Sequence, residues 1–427
     1  MISILITAHR AQILKTRWNN RKFAASGFAA VFLFTIGAYE LFSLDPLNDV
    51  PELNAQAAVL MDAATGMVLF EKNADDPISP ASLTKLMTIH VAEKEAAARG
   101  ISLDEPAKLP KQSWAVNQPP RSSLMFLAQG QIVSLNELFL GMAIPSGNDA
   151  AVAVALNFSP TTDAFARLMN REASAMGMKN TIFVEPSGIS EENITTARDF
   201  AIFCREYLRL YPENLEKYHS VPQFAYPKTS NLRPSMQNKT ETIVQGNHIN
   251  LLYSFEGVDG LKTGYIDEAG YNIALTAERG GTRFIAIILG VPAKMGARLG
   301  VRARDEDGAA LLTWGFNNFK TIRPAIPDIP PAKVWKGKLN HISLALPESG
   351  HALTVLANRG RNVHYEIVIE SLIAPLPAGF PAGNISFYDD EGEISNIKLF
   401  VPEEVEAGNF FKQILDTIIL FFLNIFG

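Results

Sequence analysis

Two short apolar runs, residues 57–61 and 67–70, flank a polar segment at 62–66 that ends in glycine. Apolar runs of strand length on either side of a turn-forming segment predict a β-hairpin. The same pattern returns later, where apolar runs at 272–277 and 283–289 enclose a polar segment that contains two glycines. We therefore expect paired strands at the beginning and at the end of the first large region of the chain.

Between these strands the pattern becomes typical of helices. Ser79 suits a helix N-cap, Pro80 suits the first helical position and Gly100 suits the end, so a helix is predicted to begin near residue 79. A second helix is predicted over 305–319, where Leu311, Leu312, Trp314 and Phe316 supply a surface for burial. Strands that enclose helices indicate an α+β or mixed layered architecture.

Prolines mark a change of character near residue 322. Pro324, Pro327, Pro330 and Pro331 lie within eight residues, which is typical of a stiff linker. Beyond the linker, short β-rich runs alternate with turns and predict a small all-β domain of about eighty residues. These runs are residues 342–346, 352–356, 364–369, 384–388 and 397–401.

The last segment, residues 410–426, carries apolar residues at helical spacing. Lys412, Gln413, Asp416 and Asn424 fall mainly outside the apolar face. This pattern predicts an amphipathic helix lying in the plane of a membrane surface, since the segment is short and polar for a membrane span. The alternative is a helix that docks on the protein's own core.

The N-terminal segment predicts export. Five basic residues between Arg10 and Lys22 precede an apolar stretch at 23–39, and no Lys or Arg follows until Lys72. This asymmetry places the N-terminus in the cytoplasm and the rest of the chain outside. The stretch is intermediate between a signal-peptide core and a spanning helix, so a cleaved signal and an uncleaved anchor both stay open. A buried soluble helix is the alternative.

These patterns divide the 427 residues into four parts, as expected for a chain too long for one ordinary core. We predict a signal or anchor segment with its linker at 1–56 and a large domain at 57–322. A small all-β domain at 323–402 and an amphipathic helix at 403–427 follow.

Composition excludes several classes of protein. Hydrophobic residues make up 47% and charged residues 19% of the chain, which are values of a globular protein. A net charge of -6 gives no basic footprint for nucleic acid. The single cysteine, Cys204, excludes an intrachain disulfide, and its apolar helical surroundings indicate a buried, inert thiol. The histidines of the β-rich region, His341, His351 and His364, lack the spacing of metal ligands, so we expect neither a metal nor a cofactor.

Three short strings carry the candidate chemistry. They are Ser82-Leu83-Thr84-Lys85, Ser146-Gly147-Asn148 and Lys262-Thr263-Gly264, in that order. The first is common by chance, and each string alone fits a helix cap or a turn. A given tripeptide, however, arises about once in several thousand positions at average residue usage. Two specific tripeptides behind an S-x-x-K string are therefore a strong signal for acyl transfer by an active-site serine, as in serine β-lactamases and penicillin-binding proteins.

Ser82 is the candidate nucleophile and Lys85 its candidate base. Three residues apart on a helix, the two side chains share one face. A serine hydroxyl needs a base to attack an amide carbonyl, and Lys85 can act only if its amine is neutral. Burial and a nearby positive charge, which Lys262 could supply, would lower the pKa of Lys85. The backbone N–H groups of Ser82 and Tyr265 could together form an oxyanion hole.

The other two strings offer groups that could handle the substrate. Ser146 could relay a proton to the leaving amine, and Asn148 could offer its amide to the substrate backbone. On an edge strand, Lys262 and Thr263 could bind a substrate carboxylate by charge and hydroxyl. Gly264 would let an extended substrate approach the backbone closely.

The context of the strings resembles one family. The chain resembles the D-alanyl-D-alanine carboxypeptidases among the low-molecular-mass penicillin-binding proteins, over roughly residues 57–427. The segments that carry the resemblance are 58–62 with Gly66, 80–87, 146–151, 196–199, 247–252, 258–265 and 269–272. The longer stretch at 212–245 departs from the family pattern and puts the shape of one wall of the site in doubt.

The resemblance implies a fold and an activity. The fold is α+β: a β-lactamase/transpeptidase-like domain, in which helices flank an antiparallel sheet beside a helical subdomain, then a small all-β domain and an amphipathic C-terminal helix. Ser82 would be acylated by peptidoglycan stem peptides ending in D-Ala-D-Ala, the terminal D-Ala would leave, and water would release the shortened peptide. β-Lactam antibiotics would acylate the same serine.

The resemblance also implies a place and one more binding residue. The protein would work on the periplasmic face of the cytoplasmic membrane, peripheral or anchored. An arginine shortly before the last helix of the domain often meets the substrate carboxylate in this family. Arg298, Arg302 and Arg304 are near, and Arg304 fits best against the predicted helix at 305–319.

Three alternatives remain beside a carboxypeptidase. A class A β-lactamase should carry a deacylating glutamate in an E-x-x-L-N setting, whereas Glu185 is followed by Pro-Ser-Gly-Ile. Gly147, in place of the Asp of S-D-N, also favours the carboxypeptidases. A D,D-endopeptidase on the same fold stays open. A cell-wall-binding protein without catalytic activity should carry substitutions in the three strings, and all three strings are intact.

Overall fold

The computed structural model describes residues 50–325, 328–347 and 350–426. The predicted export segment, with its apolar stretch at 23–39, lies outside the described residues.

The first region alternates strands and helices as the pattern predicts, with strands enclosing a run of helices. In chain order the elements are β1 (Ala57–Asp62), β2 (Val68–Lys72), α1 (Thr84–Arg99), α2 (Leu135–Ala143), α3 (Asn148–Phe158), α4 (Thr162–Ala175), α5 (Ala197–Leu210), β3 (Gln223–Tyr226), β4 (Ile243–Gly246), α6 (Leu251–Ser254), β5 (Val258–Ile266), β6 (Gly270–Arg279), β7 (Thr282–Val291), α7 (Gly296–Asn318) and β8 (Phe319–Ile322).

A five-stranded antiparallel sheet organises this region, with the strand order β2-β1-β7-β6-β5. Both predicted pairs of strands are confirmed, since β1 pairs with β2 and β6 pairs with β7. β1 also pairs with β7, which joins the beginning of the region to its end. β5 pairs with β6 and ends the sheet, so the string at 262–264 lies on an edge strand, as expected.

The helix after β2 starts later than predicted. α1 begins at Thr84 rather than near residue 79, after a 3-10 turn over Ala81–Leu83. Ala81 adopts a positive φ of 49°, so a regular α-helix cannot run through it. The end agrees with the prediction, because Gly100 caps the helix with a left-handed φ of 64°.

α7 begins earlier than predicted, at Gly296 rather than near residue 305. Its first half is rich in arginine and glycine and carries few apolar residues at helical spacing, so the pattern missed it. Its glycines bring it close to the sheet. A Cβ at Gly308 would lie 2.6 Å from Leu275, and one at Gly315 would lie 2.7 Å from Leu60.

One hydrophobic core lies between the sheet and the helices that follow β2. Val59 and Ile287 of the sheet are fully buried in it, together with Leu86 of α1, Val154 of α3 and Phe200 of α5. α1 is buried on most of its surface and carries polar residues inward, which requires partners for them. This buried polar side of α1 is where the candidate chemistry lies.

The second region is all-β, as predicted, and ends in a helix. Its elements are β9 (Ala332–Trp335), β10 (His341–Ile342), β11 (Leu353–Leu356), β12 (His364–Ile369), β13 (Leu372–Ile373), β14 (Pro381–Asp389), β15 (Gly392–Phe400) and α8 (Phe410–Phe426). Two three-stranded sheets have the orders β10-β9-β13 and β12-β14-β15.

β8 and β11 join the two regions. β8, the last strand of the segment at 57–322, pairs with β11 from beyond the proline-rich linker. Asp62, fully buried at the end of β1, reinforces the pair: its Oδ2 accepts hydrogen bonds from Thr321 (2.7 Å) and Thr354 (2.8 Å). The β-rich region is therefore held by a strand pairing and a buried carboxylate in addition to the linker.

α8 confirms the predicted C-terminal helix and presents a large apolar face. Asp416 is buried on the opposite side, where its Oδ2 accepts from the Lys336 N–H at 2.6 Å and from Lys412 Nζ at 2.9 Å. The exposed apolar side chains are Phe410, Phe411, Ile414, Leu415, Ile418, Ile419, Phe421, Phe422, Leu423 and Ile425. Across the described part of the chain, no helix combines the length and the apolar character needed to cross a bilayer.

Candidate active site

Ser82 lies in the 3-10 turn that leads into α1, one residue after Ala81. We predicted it in the first turn of the helix itself, and the positive φ of Ala81 explains the difference. Strained backbone of this kind persists only where the surroundings enforce it, and it is concentrated at functional sites. The Ser82 hydroxyl accepts a hydrogen bond from Lys85 Nζ at 2.9 Å, so the predicted pair is in contact.

Lys85 Nζ has two further partners, Asn148 Oδ1 at 2.7 Å and the Ser187 carbonyl oxygen at 2.5 Å. Both of these atoms only accept hydrogen bonds. A neutral amine has two hydrogens and one lone pair, so the two acceptors take both hydrogens. The lone pair is then left for Ser82, the one partner that carries a hydrogen of its own. The geometry therefore suits Lys85 as a base toward Ser82.

The side chain of Lys85 is fully buried, and this burial lowers its pKa to about 7. The negative charges of Glu185 and Asp149 act in the opposite direction. We expected the charge of Lys262 to oppose protonation of Lys85; the two amines do interact, and burial together with the charges of Lys85 and Arg304 lowers the pKa of Lys262 well below its ordinary value. A large fraction of Lys85 is thus neutral near pH 7.

The second string lies at the junction of α2 and α3. Asn148 is the first residue of α3 and reaches Lys85, while Ser146, two residues earlier, is buried with a positive φ of 62°. Gly147 has no room for a side chain, because a Cβ would lie 2.7 Å from Asp149 Oδ1 and 2.9 Å from the Met125 N. The glycine is therefore required by local packing in this chain.

The third string lies on β5, beside the turn of Ser82. Lys262 and Thr263 are buried, and Lys262 Nζ donates to the Thr263 carbonyl at 3.0 Å. A Cβ on Gly264 would lie 2.8 Å from the Pro80 oxygen and 3.0 Å from the Ser82 N. The glycine is thus needed for the approach of the protein's own backbone, and its role in making room for a substrate stays a prediction.

Tyr265 follows Gly264, so its backbone lies next to the point where β5 meets Ser82. Its side chain is exposed, stacks on Tyr271 with ring centroids 4.4 Å apart, and donates to Asp267 at 2.6 Å. This contact of β5 with the Ser82 turn is the arrangement that an oxyanion hole made of the two N–H groups requires.

Arg304 lies in α7, almost completely buried, with an ion pair of 2.6 Å to Asp305. Its positive charge lowers the pKa of Lys262 and also that of His248, a residue that the sequence analysis did not single out. Loss of solvent and the charges of Lys262, Arg304 and Lys85 lower the pKa of His248 to about 4. The His248 residue as a whole is exposed to solvent, so the neighbouring charges are the more direct cause of its low pKa. The result is a pocket in which several cationic groups oppose one another's protonation, so that a bound anion would be stabilised there.

A loop after α4 supplies two backbone carbonyl groups to the site, and no sequence motif predicts them. The Ser187 carbonyl accepts from Lys85, and the Pro186 carbonyl accepts from Thr88 Oγ1 at 2.6 Å. A backbone carbonyl is common to all residues, so its role leaves no trace in composition or spacing. Within residues 50–325, 328–347 and 350–426, no group of three or more His, Cys, Asp or Glu side chains is arranged to hold a metal ion.

Fold and site together define a class, the serine-type acyl hydrolases. Residues 46–293 match the D-alanyl-D-alanine carboxypeptidase family, and residues 328–407 match the C-terminal domain of penicillin-binding protein 5. The chain belongs to the D-alanyl-D-alanine carboxypeptidase family.

Similar proteins support this assignment over nearly the whole chain. D-alanyl-D-alanine carboxypeptidase DacC of Escherichia coli is 34% identical over 94% of this chain and 96% of its own. DacA of the same organism is 32% identical over 97% of this chain and 99% of its own. Penicillin binding protein 5 from Haemophilus influenzae superimposes with a TM-score of 0.69 and 31% identity, covering 84% of this chain and 99% of that one. Penicillin binding protein 6B from Escherichia coli superimposes with a TM-score of 0.65 and 28% identity, covering 84% of this chain and 98% of that one.

Proposed function

We propose that the protein removes the terminal D-alanine from peptidoglycan stem pentapeptides through an acyl-enzyme on Ser82. The observation that carries the proposal is the buried Lys85, whose two acceptor-only partners leave its lone pair for the Ser82 hydroxyl. A neutral lysine in contact with a serine supplies the base that the hydroxyl needs.

In the acylation step, Ser82 Oγ attacks the carbonyl carbon of the penultimate D-alanine while its proton passes to Lys85. The N–H groups of Ser82 and Tyr265 stabilise the oxyanion that forms. Ser146 relays a proton to the nitrogen of the terminal residue as the C–N bond breaks. Free D-alanine leaves, and an ester to Ser82 remains. Lys85 is neutral again once the proton it took from Ser82 has passed to the leaving nitrogen. Water then attacks the ester while its proton passes to Lys85, the ester bond breaks, Ser82 Oγ takes the proton back from Lys85, and the shortened peptide is released.

The C-terminal carboxylate of the substrate binds in the pocket beside Lys262 and Arg304. Arg304 supplies charge, Lys262 is favoured in its protonated form once the carboxylate lies beside it, and the Thr263 hydroxyl supplies a hydrogen bond. Asn148 offers its amide to the substrate backbone. A β-lactam also presents an amide carbonyl beside a carboxylate, so it acylates Ser82 by the same first step.

Release of D-alanine from two substrates tests the proposal. A D-Ala-D-Ala pentapeptide and a cross-linked muropeptide are incubated with the protein and with Ser82→Ala. We expect D-alanine from the pentapeptide with the native protein alone. Preferential cleavage of the cross-linked substrate would identify a D,D-endopeptidase instead.

We also propose that the protein is exported and that α8 holds it on the membrane surface. Ten exposed apolar side chains on one helix, most of them turned away from the buried Asp416, form the surface that an interfacial helix inserts into a bilayer. Flotation with liposomes tests this. The protein should float, and a chain lacking residues 410–427 and an Ile418→Glu variant should stay at the bottom. Ile418→Val is the matched control, and equal flotation of all variants would refute the proposal.

A further inference from the structure

The loop after α4 is folded around one carboxylate. Glu185 Oε2 accepts from the Ser187 N–H and from the Ser187 hydroxyl, both at 2.6 Å. Its Oε1 accepts from the Gly188 N–H at 2.6 Å and from Asn193 Nδ2 at 2.9 Å. A carboxylate with this many donors is bound to the loop and is not directed at a substrate.

The bond from Gly188 has a consequence for Lys85. The Ser187 carbonyl and the Gly188 N–H belong to one planar trans peptide unit, so they point to opposite sides. Glu185 holds the N–H side, and the carbonyl side then faces Lys85 Nζ at 2.5 Å. The carboxylate thus determines the orientation of one of the two acceptors that take the hydrogens of Lys85.

Two contacts tie this peptide unit to the nucleophile. A Cβ on Gly188 would lie 1.9 Å from the Ala81 oxygen, so the loop backbone lies directly against the turn of Ser82. Asn193, besides holding Glu185, donates to Thr84 Oγ1 at 3.3 Å, at the first residue of α1. Movement of the loop would therefore be transmitted to Ser82 and Lys85 together.

We propose that Glu185 is a positioning residue, which holds the Ser187 carbonyl against Lys85 and so keeps the lysine lone pair directed at Ser82. The inference rests on the proposed function, because it assumes that Lys85 is the base. It assigns Glu185 no contact with the substrate and no part in deacylation.

Glu185 also acts on Lys85 through its charge. The charged and titratable groups around Lys85 are Glu185 on the loop, Asp149 on α3, and Lys262 and His248 on the substrate side. The Glu185 carboxylate favours the protonated lysine, so its removal lowers the pKa of Lys85 further. Acylation needs the neutral amine, and the acid limb of its pH profile therefore moves to lower pH.

The test is the first-order rate constant for acylation by a saturating fluorescent penicillin, measured between pH 4 and 9. Such a rate constant does not depend on how much of a variant is folded. For Glu185→Gln we expect the acid limb to move down by about one pH unit, as for loss of one nearby opposite charge, and the plateau to fall. Glu185→Asp keeps the charge but shortens the reach, so its plateau should fall while its limb stays in place.

Ser187→Ala is the matched control, because it removes one hydrogen bond to Glu185 and keeps the carboxylate and the carbonyl. Its profile should match that of the native protein. An unmoved limb in Glu185→Gln, an undiminished plateau in Glu185→Asp, or equal changes in Ser187→Ala would overturn the inference while native acylation upholds the proposed function. Absence of covalent labelling in the native protein would instead overturn the proposed function.

Discussion

The fold favours the neutral form of the Lys85 amine. Its side chain is fully buried, and burial lowers its pKa to about 7 against the pull of two carboxylates. The hydrogen-bond geometry then decides what the neutral amine does, because Ser187 and Asn148 take its hydrogens. At the residue scale, reactivity toward Ser82 comes from burial and from the placement of two acceptors.

This account predicts the pH dependence of acylation in the native protein. Below a pH of about 7 Lys85 gains a proton, loses its lone pair and stops accepting the Ser82 proton, so the rate should fall as pH decreases. Lys85→Arg keeps a positive charge at all accessible pH values and should lower acylation by roughly 10²- to 10⁴-fold. Stopped-flow labelling with a fluorescent penicillin measures both. A rate in Lys85→Arg near that of the native protein would contradict the assignment.

Arg304 and Arg302 offer a matched comparison for recognition of the substrate carboxylate. Arg304 is buried beside Lys262, whereas Arg302 is exposed and paired with Glu306 at 2.7 Å. Loss of a charge-assisted hydrogen bond amounts to about 1.5–3 kcal/mol, so Arg304→Met should raise KM for a D-Ala-D-Ala peptide roughly 10- to 100-fold. Arg302→Met should leave KM nearly unchanged. Steady-state kinetics decides, and equal effects of the two substitutions would exclude Arg304 from this role.

At the scale of elements, the hydrophobic pattern predicted the strands and the three strings predicted which segments meet. β1, β2, β6 and β7 could be recognised because apolar runs alternate with strong turn signals. The predicted start of α1 was wrong, because the positive φ at Ala81 depends on tertiary packing, which the local sequence does not reveal. The first half of α7 was missed for lack of an apolar face.

Two groups at the site were missed, each for its own reason. The Ser187 carbonyl is a backbone group, and His248 lies in a segment without any spacing that relates it to Lys262. Gly264 was singled out for the approach of a substrate, and the structure adds a second reason for a glycine, because a Cβ there would meet the protein's own backbone. Motif spacing indicates which side chains take part; it carries no information on backbone groups that the fold brings to them.

The close contact of the Glu185 loop with the Ser82 turn can be tested with two glycines of similar conformation. Gly188 and Gly177 have φ values of 79° and 80°, but only Gly188 lacks room, since nothing lies within 4 Å of a Cβ at Gly177. Gly177→Ala should lose about 1–2 kcal/mol from the left-handed backbone alone. Gly188→Ala should lose more and acylate slowly, because its Cβ would displace Ala81.

Thermal unfolding and the acylation rate of the two variants measure these effects. An acylation rate in Gly188→Ala equal to that in Gly177→Ala would mean that the loop does not support the nucleophile.

At the scale of the whole molecule, the β-rich region is attached through β8, β11 and the buried Asp62. Asp62 Oδ2 accepts from Thr321 and Thr354, and Thr65 and Thr354 share a hydroxyl hydrogen bond of 2.6 Å. These contacts join β1 and the turn after it to β8 and β11, and none of them involves a partner of Lys85. Attachment of the β-rich region and acyl transfer should therefore respond to different substitutions.

Asp62→Ala leaves the buried Thr321 hydroxyl without its acceptor and removes one partner of the half-buried Thr354 hydroxyl, so it should lower stability by about 2–4 kcal/mol. Asp390→Ala is the control, because Asp390 is exposed and accepts from Asn362 alone among the hydrogen bonds seen in the described residues. Calorimetry should show a lower unfolding midpoint for Asp62→Ala with acylation unchanged in the folded protein. Equal midpoints for the two variants would contradict the role given to Asp62.

The central claim, that Ser82 is acylated, is tested most directly by locating the label left by a fluorescent penicillin. After labelling, the protein is digested and the modified peptide is identified by mass spectrometry. We expect one acyl group on the peptide that contains Ser82 and no covalent label on Ser82→Ala. Labelling of Ser82→Ala at the native rate, or an acyl group on another residue of the native protein, would show that the nucleophile lies elsewhere.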